Sequence, residues 1–339
     1  MIRKEKYNVG ILGASGAVGR EMIKILKERN FPVAELRPIA SARSAGKEIE
    51  FNGEKFQFAE ATDGAFEGLD IVLGAAENDI AERFAPAIVK SGAVFVDNSS
   101  AFRLKEDVPL VVPEINPEDV GWNKGIIANP NCTTTISLVA INALNALSPI
   151  ESIIASSYQA TSGAGAAGPK ELMAEVEADL RGESYEPKVF QYQIAYNVIP
   201  QIGDEQYAGY TSEEMKMQNE GRRIMHLPEL KVSCTCVRVP VVRSHSVSIV
   251  VKTREKISVE DAKAAIAKAP GARLVDDLPN RIYPMPLSTT DQDLVFVGRI
   301  REDLTCDKGL NIWCCGDQVR KGAATNCIQI AELVIAQGD

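Results

Sequence analysis

Histidine is scarce in this sequence: His226 and His245 are the two imidazoles among 339 residues. The seven cysteines include no C-x-x-C spacing, so no zinc or other metal site is expected. Their odd number and wide scatter argue against a disulfide framework and for a reducing cytoplasm. No apolar run approaches the roughly 18 to 20 residues that a membrane span needs, so no membrane partner is expected. Positive charge is also in deficit, with 37 Lys and Arg against 46 Asp and Glu, a net charge of -9. With no basic stripe interleaved with aromatics, nucleic acid is not an expected partner. The 25 glycines and 17 prolines follow no period, which excludes collagen-like and repeat architectures. The opening Met1–Tyr7 runs straight into a strand pattern, and no signal peptide is expected there.

What remains, 45% hydrophobic and 24% charged residues, is the composition of a soluble globular chain long enough for two domains. In the first third, short continuous apolar runs alternate with amphipathic stretches. Tyr7–Leu12, Ala34–Ala40, Asp70–Ala75 and Ala93–Asp97 read as strands, and Val18–Arg29 and Asp79–Lys90 as helices. That alternation predicts an α/β domain with a parallel sheet covered on both faces. After Ile126–Ala128, the turn Asn129-Pro130-Asn131-Cys132 opens a helix from Thr133 to about Leu147. Longer strands follow at Glu151–Gln159, Lys231–Val242, His245–Thr253 and Leu294–Arg301, with helices at Pro169–Arg181, Thr211–Met225 and Val259–Lys268, which predicts an α+β second domain. Leu310–Cys314 reads as a strand and Gln318–Gln337 as a final helix.

Gly13-Ala14-Ser15-Gly16-Ala17-Val18-Gly19 lies between the first strand and the first helix. G-x-x-G-x-x-G is a variant of the dinucleotide fingerprint, in which glycines allow a tight turn and let backbone N–H groups approach a pyrophosphate. Glu35 lies at the distance of an NAD-type ribose acid but opens its strand instead of closing it. The carboxyl end of that strand leads to Ser41, Arg43 and Ser44, a guanidinium with two hydroxyls suited to a 2′-phosphate, which favours NADP.

Position singles out Cys132. It follows a proline-containing turn at a helix start, where free N–H groups and the helix dipole favour thiolate. A cysteine nucleophile with a nicotinamide cofactor suits aldehyde chemistry through a thiohemiacetal and a thioester, with water, phosphate or another acceptor releasing the acyl group.

Together the stretches GASGAVG (13–19), SARSAGK (41–47), DNSSAFR (97–103), NPNCTT (129–134), YQATSGAGAAG (158–168), EEMKM (213–217), VRVPVVRSH (237–245) and RKGAATN (320–326) closely resemble the bacterial aspartate-β-semialdehyde dehydrogenase family, in its order and over nearly the whole chain. The resemblance implies a Rossmann-type NADP-binding domain at 1–131, rejoined by 316–339, and a catalytic and dimerisation domain at 132–315. It implies Cys132 as acylated nucleophile, His245 as general acid and base, and Gln159 as the amide that orients substrate. Arg238 would hold the substrate carboxylate and Glu213 its ammonium, while Arg103 and Lys216 would hold phosphate. Gly13, Ser15, Gly16, Ala17, Val18, Ser162 and Gly163 would line the cofactor. Gln318 stands where the family commonly has asparagine. The implied reaction reduces L-aspartyl 4-phosphate with NADPH to L-aspartate 4-semialdehyde and releases phosphate, in a cytoplasmic homodimer or higher oligomer. It feeds lysine, threonine, methionine, isoleucine and diaminopimelate synthesis. Related acyl-phosphate reductases (acetylated glutamyl phosphate or glyceraldehyde-3-phosphate chemistry), an acyl-CoA reductase and an inactive nucleotide-binding paralogue are the alternatives.

Overall fold

The computed structural model describes residues 4–51 and 53–337. By its internal packing the chain forms two compact units, Met1–Asn131 with Ala323–Asp339, and Cys132–Gly322. The segment 316–322, expected with the first domain, belongs to the second unit.

The first unit is a doubly wound α/β layer. Strand β1 (Tyr7–Leu12), helix α1 (Ala17–Glu28) and strand β2 (Val33–Ala40) open it. A small hairpin of β3 (Glu48–Phe51) and β4 (Glu54–Gln57) and the short β5 (Ala59–Glu60) come next. Then follow β6 (Ile71–Gly74), α2 (Asn78–Lys90), β7 (Val94–Asp97) and β8 (Ile126–Ala128). The six sheet strands lie in the order β5-β2-β1-β6-β7-β8, and every pair is parallel. Val9, Ile11, Ile71, Leu73 and Val96 are buried on the strands, and Met22, Ile25 and Leu26 of α1 pack into the same core. Strands buried on both faces need unbroken apolar runs, which is why the sequence reads that way. The order turns back between β1 and β6, so the carboxyl end of β1 is the crevice where such sheets bind ligands. The hairpin was not legible, because its strands carry charge on most exposed positions: Glu48, Glu50, Glu54 and Lys55.

The second unit begins with α3 (Cys132–Leu147) and β9 (Ile150–Gln159), then α4 (Ala167–Leu180). The short pair β10 (Glu205–Tyr207) and β11 (Tyr210–Thr211) leads into α5 (Ser212–Ile224), β12 (Lys231–Arg238) and β13 (His245–Thr253). The unit closes with α6 (Val259–Ile266), β14 (Ala272–Leu274), the single turn α7 (Pro286–Thr289), β15 (Val295–Glu302) and β16 (Gly309–Gly316). Its sheet has the order β12-β9-β13-β16-β15-β14. The β12–β9 and β14–β15 pairs are parallel and the other three antiparallel. Helices α3, α5 and α6 pack together against the sheet. Thr211 caps α5, with the Thr211 hydroxyl and the Glu214 carboxylate closing a reciprocal capping box.

Two expected elements fall short of their sequence patterns by more than the residue or two by which element ends vary. The strand from Lys231 ends at Arg238, just before Pro240, which has no N–H for a ladder. The final helix runs from Thr325 to Ala336, with a π-turn at Arg320–Ala324 ahead of it. Asp317 caps this helical segment: its carboxylate accepts the N–H groups of Val319 and Arg320, and its carbonyl accepts that of Gly322, the five-residue spacing of a π-turn. The C-terminal helix buries Ile328, Ile330 and Ala331 in the core of the first unit. Truncating Ile330 to alanine is expected to cost about 2–5 kcal/mol. Urea unfolding monitored in the first unit checks this; an unchanged midpoint would mean that the helix does not support that core.

Candidate active site

In the first unit the glycine turn joins β1 to α1. Gly13 has φ +86°, and a Cβ there would lie 2.5 Å from the carbonyl oxygen of Ala75. The N–H groups of Gly13 and Ala14 donate to the Ile39 carbonyl, which ties the turn to the neighbouring strand. Gly16 precedes the helix, Gly16 and Ala17 are exposed, and Ser15 and Val18 are half-buried. The first turn of α1 carries no acidic residue, so no carboxylate of that turn competes with an anion for its N–H groups. These features fit a dinucleotide pyrophosphate. The turn Ser41–Gly46 follows the carboxyl end of β2, and Ser41 and Arg43 are exposed there, with Ser44 half-buried. Glu35 is ion-paired to Arg37 at 2.7 Å, near the other end of β2 and away from a ribose position.

Asp97 ends β7 fully buried, and burial pushes its carboxyl up from the usual range against the Ser99 hydrogen bonds. Ser99 donates to that carboxylate, and an Arg103 Nη2–H donates to the Asn98 carbonyl at 2.8 Å. Arg103 is therefore held on the loop after a parallel strand. A buried relay of amides continues from it: Asn326 donates to Asn129 and Asn129 to Asn98, both at 2.7 Å. The relay fixes the turn that precedes Cys132.

The second unit assembles most of the chemistry. Cys132 is the first residue of α3 and half-buried, and none of the seven cysteines is in a disulfide. Four rivals as nucleophile are held protonated. The Cys236 hydrogen bond and burial raise the Cys234 thiol well above its ordinary value, and burial raises those of Cys314, Cys315 and Cys327.

Strand register brings three predicted residues together. Gln159 ends β9 opposite Arg238, the end of its parallel neighbour β12. His245 opens β13, one residue before Ser246, which pairs with Tyr158. Gln159, Arg238 and His245 are all buried. The amide of Gln159 donates to a Glu213 carboxylate oxygen at 3.3 Å, and the other Glu213 oxygen accepts from Lys216 at 2.8 Å. An Arg238 Nη1–H donates to the Ala160 carbonyl at 2.8 Å.

His245 is the best-defined group of the site. Its Nδ1 accepts the Ala160 N–H at 3.0 Å, so the neutral ring carries its hydrogen on Nε2, and Nε2 is buried without a hydrogen-bond partner. Burial, with the Arg238 guanidinium beside it and Glu213 opposing, lowers the His245 pKa to about 3. Burial thus shifts the ring toward its neutral form from the ordinary imidazole range that the sequence alone suggested. The same burial lowers the Arg238 pKa, against Glu213, but a guanidinium remains charged.

Ser162 and Gln318 meet, but through each other: the Gln318 amide donates to the Ser162 hydroxyl, and its oxygen accepts the Ser244 N–H at 2.9 Å. Ser244, with φ +76°, immediately precedes His245, so this glutamine braces the turn into the imidazole. A Cβ on Gly163 would lie 2.7 Å from Arg238 Nη1 and 3.3 Å from His245 Nε2. Sequence reasoning passed over Ala160, whose backbone orients two site residues, and Gly322, where a Cβ would lie 2.7 Å from the Cβ of Cys132. The glycine of the RKGAATN stretch was the available signal.

Two family patterns match the chain: "Semialdehyde dehydrogenase, NAD binding domain" over residues 8–122 and "Semialdehyde dehydrogenase, dimerisation domain" over residues 141–321. The aspartate-semialdehyde dehydrogenase of Synechocystis is 48% identical over 97% of this chain and 98% of its own length. That of Bacillus subtilis is 44% identical over 96% of each. Among solved structures, aspartate semialdehyde dehydrogenase II of Vibrio cholerae complexed with ASA superimposes with a TM-score of 0.96 at 41% identity, covering 98% of this chain and 99% of the other. The Candida albicans enzyme with NADP gives 0.74 at 25% identity, over 97% and 98%.

Two outcomes are expected. Gly322→Ala displaces Cys132 and lowers turnover, by about a hundredfold for a displacement near 1 Å, with slower alkylation by iodoacetamide; unchanged rates of both would contradict the contact. His245 binds its proton more weakly folded than unfolded, so its contribution to stability is full above pH 6.5 and declines as pH falls toward 3. Urea unfolding from pH 7 to 4 should show a shallower decline for His245→Gln than for the parent chain; equal slopes would mean that the imidazole is not held neutral.

Proposed function

The chain belongs to the aspartate-semialdehyde dehydrogenase family, and on that footing we propose that it interconverts L-aspartyl 4-phosphate and L-aspartate 4-semialdehyde through an acyl thioester on Cys132, with NADP as the nicotinamide cofactor. The observation that carries this reading is a half-buried cysteine at a helix start, in the same unit as a neutral imidazole whose Nε2–H has no other partner.

In the biosynthetic direction the Cys132 thiolate attacks the acyl phosphate carbonyl, a C–S bond forms, and phosphate leaves with the C–O bonding pair. The nicotinamide, when bound, supplies the hydride that reduces the thioester carbon. Collapse of the resulting thiohemiacetal oxyanion restores the carbonyl and expels the thiolate. Through these steps negative charge builds on the carbonyl oxygen, and His245 Nε2–H is the donor assigned to it. In this tautomer Nε2–H is the proton that His245, the general acid and base we propose, offers to that oxygen. Arg238 is assigned to the substrate carboxylate, where a planar guanidinium gives a paired grip. Glu213 is assigned to the substrate ammonium and Gln159 to orientation. Arg103 and Lys216 are the cations assigned to phosphate.

Gly13, Ser15, Gly16, Ala17 and Val18 are assigned to the cofactor pyrophosphate, Ser41, Arg43 and Ser44 to its 2′-phosphate, and Ser162, Gly163 and Gln318 to its further contacts. A second copy of the chain is the partner we assign. Ile154 and Tyr158 are exposed on β9, where the alternating Ile153, Ala155, Ser157 and Gln159 are buried, and a sheet face of that kind favours self-association. No helix among the described residues is long and apolar enough to cross a membrane. A cytoplasmic setting suits seven cysteines that form no disulfide and a step feeding lysine, threonine, methionine, isoleucine and diaminopimelate.

The test is nicotinamide reduction with aspartate semialdehyde, with phosphate, without it, and with coenzyme A in its place. Phosphate dependence is expected; dependence on coenzyme A instead would assign an acyl-CoA reductase. Cys132→Ser should lose on the order of 10⁴-fold or more in turnover while still binding NADP, and retained turnover would overturn the mechanism. Arg43→Ala should lower the preference for NADP over NAD about 10- to 100-fold, the worth of one charge-assisted hydrogen-bonded contact; an unchanged ratio would remove Arg43 from the 2′-phosphate.

A further inference from the structure

Two buried glutamates outside the set assigned above do something specific. Glu171 and Glu175 lie four apart on α4, on one face, and both are 3% exposed. Their carboxylates receive backbone N–H groups from a segment that has no regular secondary structure. Glu171 Oε2 accepts from Lys188 at 2.7 Å and Val189 at 2.8 Å, and its Oε1 accepts from Phe190 at 3.0 Å. Glu175 Oε2 accepts from Ile194 at 2.9 Å and Ala195 at 2.7 Å, while its Oε1 is buried with no hydrogen-bond partner. A helix thus satisfies five amides of a loop through two side chains. Buried charges are otherwise rare, and such an arrangement fixes the loop in one conformation.

That loop leads to the site. Phe190, Ile194, Ala195 and Ile199 bury themselves with Leu172 in a small apolar cluster. The Phe190 ring centre lies 5.8 Å from the Arg238 guanidinium carbon, and Ile199 exchanges two backbone hydrogen bonds with Arg238, at 2.9 and 3.0 Å. Arg238 is therefore held by an aromatic ring, by the Ala160 carbonyl and by its own backbone pairing. The ring is placed by the one residue whose N–H Glu171 Oε1 receives.

We propose that Glu171 is a positioning residue for substrate recognition: by fixing the 188–190 backbone it seats Phe190 against Arg238 and orients the guanidinium for the substrate carboxylate. This rests on the assignment of Arg238 to that carboxylate. The two glutamates should differ under the same conservative change. Glu171 uses both oxygens, so glutamine turns an NH₂ group onto at least one backbone donor. Glu175 uses one oxygen, so glutamine can keep Oε1 toward Ile194 and Ala195.

The experiment is a double-mutant cycle on the full chain, with KM for aspartate semialdehyde and kcat measured at saturating phosphate and NADP. Glu171→Gln and Phe190→Leu are each expected to raise KM about tenfold, the order lost when a buried donor is left unmatched, with kcat within about twofold. Glu175→Gln should leave both near the parent values. In an Arg238→Ala background neither Glu171→Gln nor Phe190→Leu should raise KM further. Unchanged KM in both single variants, or a full further rise without Arg238, overturns the proposal. If Arg238→Ala itself leaves KM unchanged, the carboxylate assignment falls, and the positioning role falls with it for that separate reason.

Discussion

The pairing of β9 with β12 on one side and β13 on the other is the constraint on which the rest of the site depends. Parallel register with β12 sets Gln159 beside Arg238, and antiparallel register with β13 brings His245 to the same end. A slip of one residue in either pair would send these side chains to the opposite face. The alternation of β9 resists such a slip, because Ile153 and Ala155 are buried while Ile154 is exposed. Core packing and site geometry are thus specified by the same ladder.

Just beyond that ladder, Ala160 turns geometry into electrostatics. Its N–H points at His245 Nδ1 and its carbonyl accepts from Arg238, so one peptide unit orients a neutral ring and a cation. Placing a guanidinium near an imidazole in a buried site keeps the imidazole uncharged, and an uncharged ring can aim a hydrogen at an oxygen without carrying a second buried positive charge. Glu213 balances the group, linked to Gln159 on one side and Lys216 on the other. The glutamates of α4 extend the same economy outward, with carboxylates satisfying loop amides where a regular element would satisfy its own.

Much of this was legible in the chain. The continuous apolar strands of the first unit announced the parallel sheet, and the glycine turn between strand and helix announced its ligand crevice. Cys132 stood out by position alone, after a proline turn at a helix start. Gln159 lies far in sequence from Arg238 and His245, which share one short stretch, so composition and spacing could not join the three; the resemblance did. What stayed hidden was hidden for physical reasons. The tautomer and neutrality of His245 follow from burial and from a backbone N–H, neither of which leaves a residue-type signature. Gln318 was placed near the cofactor by resemblance alone, and its bracing of Ser162 and the Ser244 turn depends on hydrogen bonds that residue type does not reveal. The π-turn at Arg320–Ala324 escaped helical periodicity because its carbonyl-to-amide spacing of five, as from Asp317 to Gly322, leaves no residue-type signature.

The most direct measurement of the central claim is mass spectrometry of the enzyme quenched during oxidation of aspartate semialdehyde with NADP in the absence of phosphate. The account predicts an aspartyl group in thioester linkage on the peptide containing Cys132, discharged when phosphate is added. An adduct on another cysteine, or steady phosphate-dependent turnover with Cys132 never acylated, would contradict it.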